Sequence, residues 1–200
     1  MLEHRIQQHF IDSADLKYQS AQMLAGPTAA AVHAIVASVT SGAKLLACGA
    51  GAGASLAQLF ASMCVSGFER ERPGIAALAL VPDAGWPCGA AEGGPAEAPA
   101  LARHVHALGH AGDVLLVLAT TGNEPALLRA VEAAHEREMS VIALTGREGG
   151  RLAGLLRETD VLICVPHERL ARVREAQFLV LHCLCDGLDL QLLGDQEVMS

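Results

Sequence analysis

The sequence predicts an α/β fold in which five parallel strands form a three-layer, doubly wound sheet. Two observations predict it. Short apolar runs alternate along the chain with helical patterns, and strands that are separated by helices are joined by parallel crossovers. A strand-loop-helix unit also occurs twice, over residues 44–55 and 113–124, where an apolar strand gives way to small residues before a helix begins.

The N-terminal residues 1–41 predict two helices. Residues 2–24 have the pattern of an amphipathic helix, because apolar side chains recur at helical spacing at Leu2, Ile6, Phe10 and Leu16. Pro27 suits the first turn of a helix, so a second helix is expected to begin there and to end at Gly42.

The remaining elements alternate regularly. Strands are expected near residues 44–48, 75–80, 114–119, 140–145 and 161–165. Helices are expected near residues 55–67, 95–108, 124–138 and 170–193. The stretch from Asp83 to Pro99 is rich in Gly, Ala and Pro, and it is interpreted either as a mobile lid or as an insertion without function.

A single domain is expected over residues 1–200. The 200 residues are 52% hydrophobic, which is enough for one α/β core, and no long polar stretch divides them. We divide this domain into N-terminal helices (1–41), a sheet core (42–166) and a C-terminal helix with a tail (167–200).

Composition narrows the classes of function. A net charge of −8 disfavours direct nucleic-acid binding, which depends on clustered Lys and Arg. The N-terminus has no signal-peptide core, and the apolar runs are shorter than the roughly 18 residues of a membrane span, so a cytoplasmic protein is expected. The cysteines form no CxxC pair and are expected to be reduced thiols, mostly buried. Neither a metal nor a cofactor is predicted.

The two repeated loops are predicted to bind phosphate. Both follow parallel strands, whose carboxyl ends line the sites of doubly wound sheets. Backbone N–H groups of each loop and the positive end of the following helix can hold a phosphoryl group. A dinucleotide fits less well, because Ala54 stands where the dinucleotide fingerprint has its third glycine and Asp83 is too distant to serve as its acidic residue. The predicted phosphosugar-binding residues are Gly49, Gly51 and Ser55 in the first loop and Thr120, Thr121, Gly122 and Asn123 in the second.

The two loops, together with residues 143–156 and 165–177, resemble the SIS-domain family of sugar phosphate proteins over nearly the whole chain. The resemblance implies a flavodoxin-like sheet, a sugar phosphate ligand and assembly into dimers or tetramers. Two branches of the family compete. One is the sedoheptulose 7-phosphate (phosphoheptose) isomerases, and the other is the proteins that associate with the replication initiator DnaA. Residues 107–116 and 183–186 resemble the second branch more.

The resemblance also identifies departures from the isomerases. Gly53 replaces a phosphate-contacting serine, and Glu124 places a carboxylate where a serine hydroxyl would meet phosphate, so that like charges repel there. Leu59 and Met63 replace a histidine and a glutamate, and Gln177 replaces a histidine of the last helix. Isomerisation needs groups that carry a proton, and these three side chains supply none. No catalytic residue is therefore predicted.

We therefore expect a non-catalytic SIS-domain protein, a homotetramer that binds several copies of DnaA and promotes the initiation of replication. The alternative is a phosphoheptose isomerase of lipopolysaccharide heptose synthesis. Glu175 is expected to form a salt bridge or a helix cap rather than to act as a base. The terminal helices are expected to form the bundle that joins the subunits, and Leu192 and Leu193 are expected to contact a neighbouring subunit or DnaA.

Overall fold

The computed structural model describes residues 1–81 and 98–194. Its five strands are β1 (Leu45–Gly49), β2 (Ala77–Leu80), β3 (Val114–Leu118), β4 (Ser140–Gly146) and β5 (Val161–Val165). The helices within these residues are α1 (Leu2–Thr40), α2 (Ala52–Ser66), α3 (Ala98–Leu108), α4 (Pro125–Glu136), α5 (Gly150–Ala153) and α6 (Leu170–Leu193).

All five strands are parallel and lie in the order β2-β1-β3-β4-β5. The predicted doubly wound sheet is thus confirmed. From β1 the chain first crosses outward to β2, and it then returns to the other side of β1 to form β3, β4 and β5. The direction of winding therefore reverses between β1 and β3, and ligands of doubly wound sheets bind at such a switch point.

The sheet has an apolar helical layer on each face. Leu45 and Ala47 of β1 pack in the layer of α1, α2 and α6, whereas Leu46 and Cys48 pack in the layer of α3, α4 and α5. Every residue of β1 and of β3 is buried. Burial on both faces explains why these two strands are continuous apolar runs in the sequence.

The N-terminal region is one helix, so the prediction of two helices was wrong. α1 runs without interruption for 39 residues and contains Pro27. A proline inside a helix removes one backbone hydrogen bond, to the carbonyl four residues earlier. That carbonyl belongs to Met23, which is exposed, and the flanking Leu24 and Thr28 are buried. Packing of the flanking turns maintains the helix through the proline.

Other boundaries differ from the prediction by a few residues. β5 and α6 have the predicted bounds, and α2 begins at Ala52 because Gly51 adopts a φ of 55° at its N-cap. The four-residue helix α5 was not predicted. α3 begins at Ala98, and most of the loop predicted over 83–99 lies outside the described residues. Its interpretation as a lid, like the division into three parts, stays a prediction.

Two helices, α1 and α6, are long and apolar enough to cross a membrane by the criteria of length and composition. Core helices of soluble domains meet the same criteria. Here α6 packs on the sheet and against α1, and its buried residues belong to the same apolar layer as those of α1. Packing within the domain therefore accounts for the buried apolar residues of both helices.

Candidate functional site

The two repeated loops emerge side by side at one edge of the sheet. β1 and β3 pair in parallel from Leu45 opposite Val114 to Gly49 opposite Leu118. The loop after β1 (residues 50–51) and the loop after β3 (residues 119–124) therefore leave the carboxyl edge as neighbours. This is also the switch point of the sheet, so the structure brings the two predicted groups of phosphosugar-binding residues to one place.

The first loop is shaped by close backbone packing. A Cβ atom on Gly49 would lie 2.3 Å from the carbonyl carbon of Gly53, and one on Gly53 would lie 2.7 Å from the carbonyl oxygen of Leu118. Gly51 has a φ of 55°, in the region that favours glycine. Ser55 is exposed on the first turn of α2. The predicted residues of this loop thus offer mainly backbone groups, and Ser55 is the one of them with a hydroxyl.

The second loop has a carboxylate among its hydrogen-bond donors. Glu124 Oε1 accepts hydrogen bonds from the backbone N–H groups of Thr120 (3.2 Å) and Thr121 (3.1 Å). The hydroxyl groups of both threonines also lie within hydrogen-bond distance of Oε1, at 3.3 and 3.1 Å. The four donors that the sequence assigned to a phosphoryl group thus converge on an oxygen of the protein itself.

The same contacts determine the ionisation of Glu124. Burial alone would raise the pKa of this carboxyl, but the hydrogen bonds from its own backbone N–H, from Thr121 and from Thr120 outweigh burial and lower the pKa. The carboxyl is therefore ionised at neutral pH. Its second oxygen, Oε2, is buried and has no hydrogen-bond partner among the described residues.

The second loop is also joined to α5. The backbone N–H of Arg151 donates to Asn123 Oδ1 at 3.1 Å, and the N–H of Leu152 donates to the carbonyl of Gly122 at 2.9 Å. Gly122 has a φ of 71°, and a Cβ atom there would lie 1.8 Å from the carbonyl oxygen of Gly149. Of the predicted residues, Gly122 and Asn123 therefore fix the position of the loop against its neighbour.

The three positions at which the resemblance implies proton carriers hold side chains of other kinds. Leu59 is exposed and Met63 is half-buried, both on α2. Gln177 is buried on α6, and its Nε2 donates to the carbonyls of Ala119 (2.7 Å) and Leu144 (3.1 Å). Gln177 thus links α6 to the carboxyl ends of β3 and β4, directly beneath the second loop.

Glu175 forms a salt bridge, as the sequence predicted. Its carboxylate pairs with the guanidinium of Arg172, which is 4% exposed and which also contacts Nδ1 of His9 at 2.6 Å. Burial of Glu175 is outweighed by hydrogen bonds from Ser13 and Arg172 and by the charge of Lys17, so the pKa of its carboxyl is lowered. A carboxylate held in this way joins α6 to α1 and is a poor base.

The sequence analysis did not single out His182 as a candidate site residue. Its ring lies on α6 with its centroid 5.1 Å from that of Phe68, which follows α2, and 4.3 Å from that of Phe178. His182 lies where α2 and α6 meet, and the replaced residues Leu59, Met63 and Gln177 lie on the same two helices. A histidine on a predicted helix that already carries a replaced position is the sequence signal that could have identified His182.

No group of three or more His, Cys, Asp and Glu side chains suited to a metal ion occurs within residues 1–81 and 98–194.

Leu192 and Leu193 lie at the opposite edge of the sheet from the two loops. Both are half-buried at the end of α6 and line a cleft of about 430 Å³ together with the end of α1 and residues 72–76. Leu192 also packs against the apolar core. Contact of either leucine with a partner stays a prediction.

Comparison with known proteins identifies relatives along the whole chain. The model of the SIS domain matches residues 9–146. A phosphoheptose isomerase of Methylibium petroleiphilum is 54% identical, covering 99% of this chain and 98% of that protein. One of Aromatoleum aromaticum is 46% identical, covering 98% of each. The structure of phosphoheptose isomerase GmhA from Neisseria gonorrhoeae superposes with a TM-score of 0.86 at 39% identity, covering 94% of this chain and 100% of that one.

These relatives overturn one expectation drawn from the sequence. The chain was predicted to be a non-catalytic protein that associates with DnaA, and that prediction was wrong. The similar proteins are named phosphoheptose isomerase at 42 to 54% identity over nearly their full length. The prediction depended on three side chains, Leu59, Met63 and Gln177, and on two short segments, whereas the relatives match the whole chain. The alternative that the sequence left open is the one they favour.

Proposed function

The chain belongs to the SIS-domain family, and on that premise we propose that it is a phosphoheptose isomerase, which interconverts the ketose and aldose forms of a heptose phosphate. The observation that carries the proposal is the 54% identity to a protein of that name along 99% of the chain. The reaction needs a site for the phosphoryl group and a group that moves a proton between adjacent carbon atoms. The enzyme is expected to act in the cytoplasm.

The sugar phosphate would bind at the switch point between β1 and β3. Gly49, Gly51 and Ser55 would contribute the first loop and the start of α2, where backbone N–H groups and the helix dipole favour an anion. Residues 120–123 would close the other side of the site. Gly122 and Asn123 support this arrangement, because their bonds to α5 hold the second loop in a fixed position.

We propose His182 as the proton carrier. An imidazole changes its charge near neutral pH and is the most frequent general acid or base in enzymes. Glu175 is paired with Arg172, and Glu124 is held by the two threonines, so neither carboxylate is free to accept a proton. His182 lies on α6 beside the end of α2, and its described contacts are with the rings of Phe68 and Phe178.

The test is an assay of aldose formation from sedoheptulose 7-phosphate by the purified protein. Turnover is expected, and His182→Ala is expected to lower kcat by about 10²-fold or more, since general acid-base catalysis contributes that much. His106→Ala is the matched control, because His106 lies on α3 in the opposite helical layer and is half-exposed. Wild-type protein without turnover would contradict the isomerase. Equal loss in both variants would contradict the role of His182.

We also propose that the protein is a homo-oligomer, as its resemblance implies, with the tetramer as the expected form. α1 presents large apolar side chains to solvent, among them Phe10 (75% exposed) and Tyr18 (86% exposed). Between α1 and α6 lies a mostly apolar cleft of about 450 Å³. Exposed apolar patches of this kind are typical of surfaces that meet another protein. Light scattering of the purified chain measures the subunit number.

A further inference from the structure

We propose that Glu124 determines which ligands the second loop accepts, because its carboxylate already occupies the place of a phosphoryl oxygen. This inference rests on the proposed function, since it concerns the same sugar phosphate site. It differs from the charge repulsion expected from the sequence. Repulsion acts at a distance and leaves the donors of the loop unpaired, whereas occupation means that those donors have a partner before any ligand arrives.

The first step of the argument is the donor set. Two backbone N–H groups and two hydroxyl groups, from Thr120 and Thr121, point to Glu124 Oε1 at 3.1 to 3.3 Å. Successive N–H groups beside the start of a helix form the type of concave site that binds anions. A phosphoryl oxygen would need the same N–H and hydroxyl groups, and it cannot share one position with Oε1.

The second step is the energetic balance. Hydrogen bonds to an ionised acceptor are stronger than those between neutral groups, so the bonded carboxylate is a genuine competitor for the loop. Its donors are only three and four residues away in the chain, and it binds them without the loss of translational freedom that a ligand incurs. A phosphoryl group must therefore displace Glu124, and the affinity of the loop is lowered by the stability of this internal contact.

The third step is that displacement is open to the side chain. Glu124 is half-buried, and its neighbours Asn123 and Pro125 are exposed, so a change of rotamer can carry the carboxylate toward solvent. Glu124 is also the N-cap of α4, although its side chain forms no capping hydrogen bond to that helix. The helix therefore does not depend on the carboxylate, and serine, a favoured N-cap residue, suits the position.

The experiment is calorimetric titration of the full chain with inorganic phosphate, using the wild type, Glu124→Ser and Glu124→Gln. Glu124→Ser removes both the charge and the occupant. Glu124→Gln removes the charge but keeps an oxygen acceptor of the same reach. Glu132→Ser is the control, because it removes one charge from a half-exposed position of the same helix, where the carboxylate pairs with Arg129 and not with the loop. Backbone amide NMR shifts of Thr120 and Thr121 report whether phosphate binds at this loop.

Occupation predicts that Glu124→Ser binds phosphate at least about tenfold more tightly than the wild type, the equivalent of one charge-assisted contact. Glu124→Gln should fall between the two, and Glu132→Ser should match the wild type. Equal gains in Glu124→Ser and Glu124→Gln would overturn occupation in favour of simple repulsion. No gain in Glu124→Ser would overturn the proposal altogether. None of these titrations involves turnover, so a failure of the isomerase proposal would appear separately, in the assay.

Discussion

The two loops at the switch point have the same pattern in the sequence but are built differently. The shape of the first loop is determined by backbone packing, because Gly49 and Gly53 allow the chain to pass within van der Waals contact of itself and of β3. The shape of the second loop is determined by a side chain, because the carboxylate of Glu124 accepts hydrogen bonds from Thr120 and Thr121. A repeated pattern of small residues after a strand therefore indicates where a site lies, but it does not indicate whether the donors of that site are free.

The largest effect is expected at the junction of the second loop with α5. Gly122→Ala places a Cβ atom 1.8 Å from the carbonyl oxygen of Gly149 at a φ of 71°, so the free energy of unfolding should fall by at least about 3 kcal/mol. Urea denaturation measures this change.

Gly42→Ala is the control for that variant. Gly42 has a φ of 87°, and no atom of the described residues lies within 4 Å of the Cβ position that alanine would add. The substitution should cost only the backbone strain, about 1 to 2 kcal/mol. Equal costs for the two variants would show that the second loop is not held against α5 as described.

The first loop gives the next largest effect. Gly53→Ser restores the residue type of the isomerases, but its Cβ atom would lie 2.7 Å from the carbonyl oxygen of Leu118. We expect a loss of about 1 to 3 kcal/mol in the free energy of unfolding, as for other overpacked sites, and no gain in phosphate affinity. Ala52→Ser, at an exposed position one residue earlier, should change stability by less than about 0.5 kcal/mol. A stable Gly53→Ser variant that binds phosphate more tightly would contradict the account of this loop.

The smallest effect concerns pH and the second loop. The pKa of Glu124 is lowered from its ordinary value of 4.5 in the folded protein, so its contribution to stability is fully present above that value. The contribution is lost as the pH falls through the lowered pKa. The difference in unfolding free energy between the wild type and Glu124→Gln should therefore shrink on acidification. Denaturant titrations between neutral and acid pH measure it. A difference that grows as the pH falls would mean that the contacts favour the neutral carboxyl.

The sequence predicted the sheet well, because buried parallel strands carry their signal locally. β5 and α6 have the predicted bounds, and all five strands occur in the expected order along the chain. Two errors in the helices share a cause. Pro27 was interpreted as a helix start, and the glycines at residues 149–150 gave no helical signal, yet packing against the rest of the fold determines both α1 and α5.

The candidate site was predicted in position but not in its internal contacts. Thr120 and Thr121 are recognisable as donors from the sequence, and Glu124 as a misplaced charge. The sequence does not reveal that the glutamate turns back onto the donors, because that depends on the rotamer it adopts at the N-cap of α4. Gln177 shows the same limit. A missing proton carrier was inferred there, and the buried amide holds the ends of β3 and β4.

α1 has a mechanical consequence that follows from its continuity. At about 1.5 Å per residue, its 39 residues extend for roughly 58 Å. Residues 2–8 are exposed, and His9 contacts Arg172 of α6, so about the first two turns extend beyond the domain as a lever that is anchored at one end. Had Pro27 separated two helices, the intervening turn would have been a hinge and would have dissipated any torque. In one unbroken rod, a rotation imposed on the projecting turns is transmitted to the anchored end, which packs against α6 and the sheet.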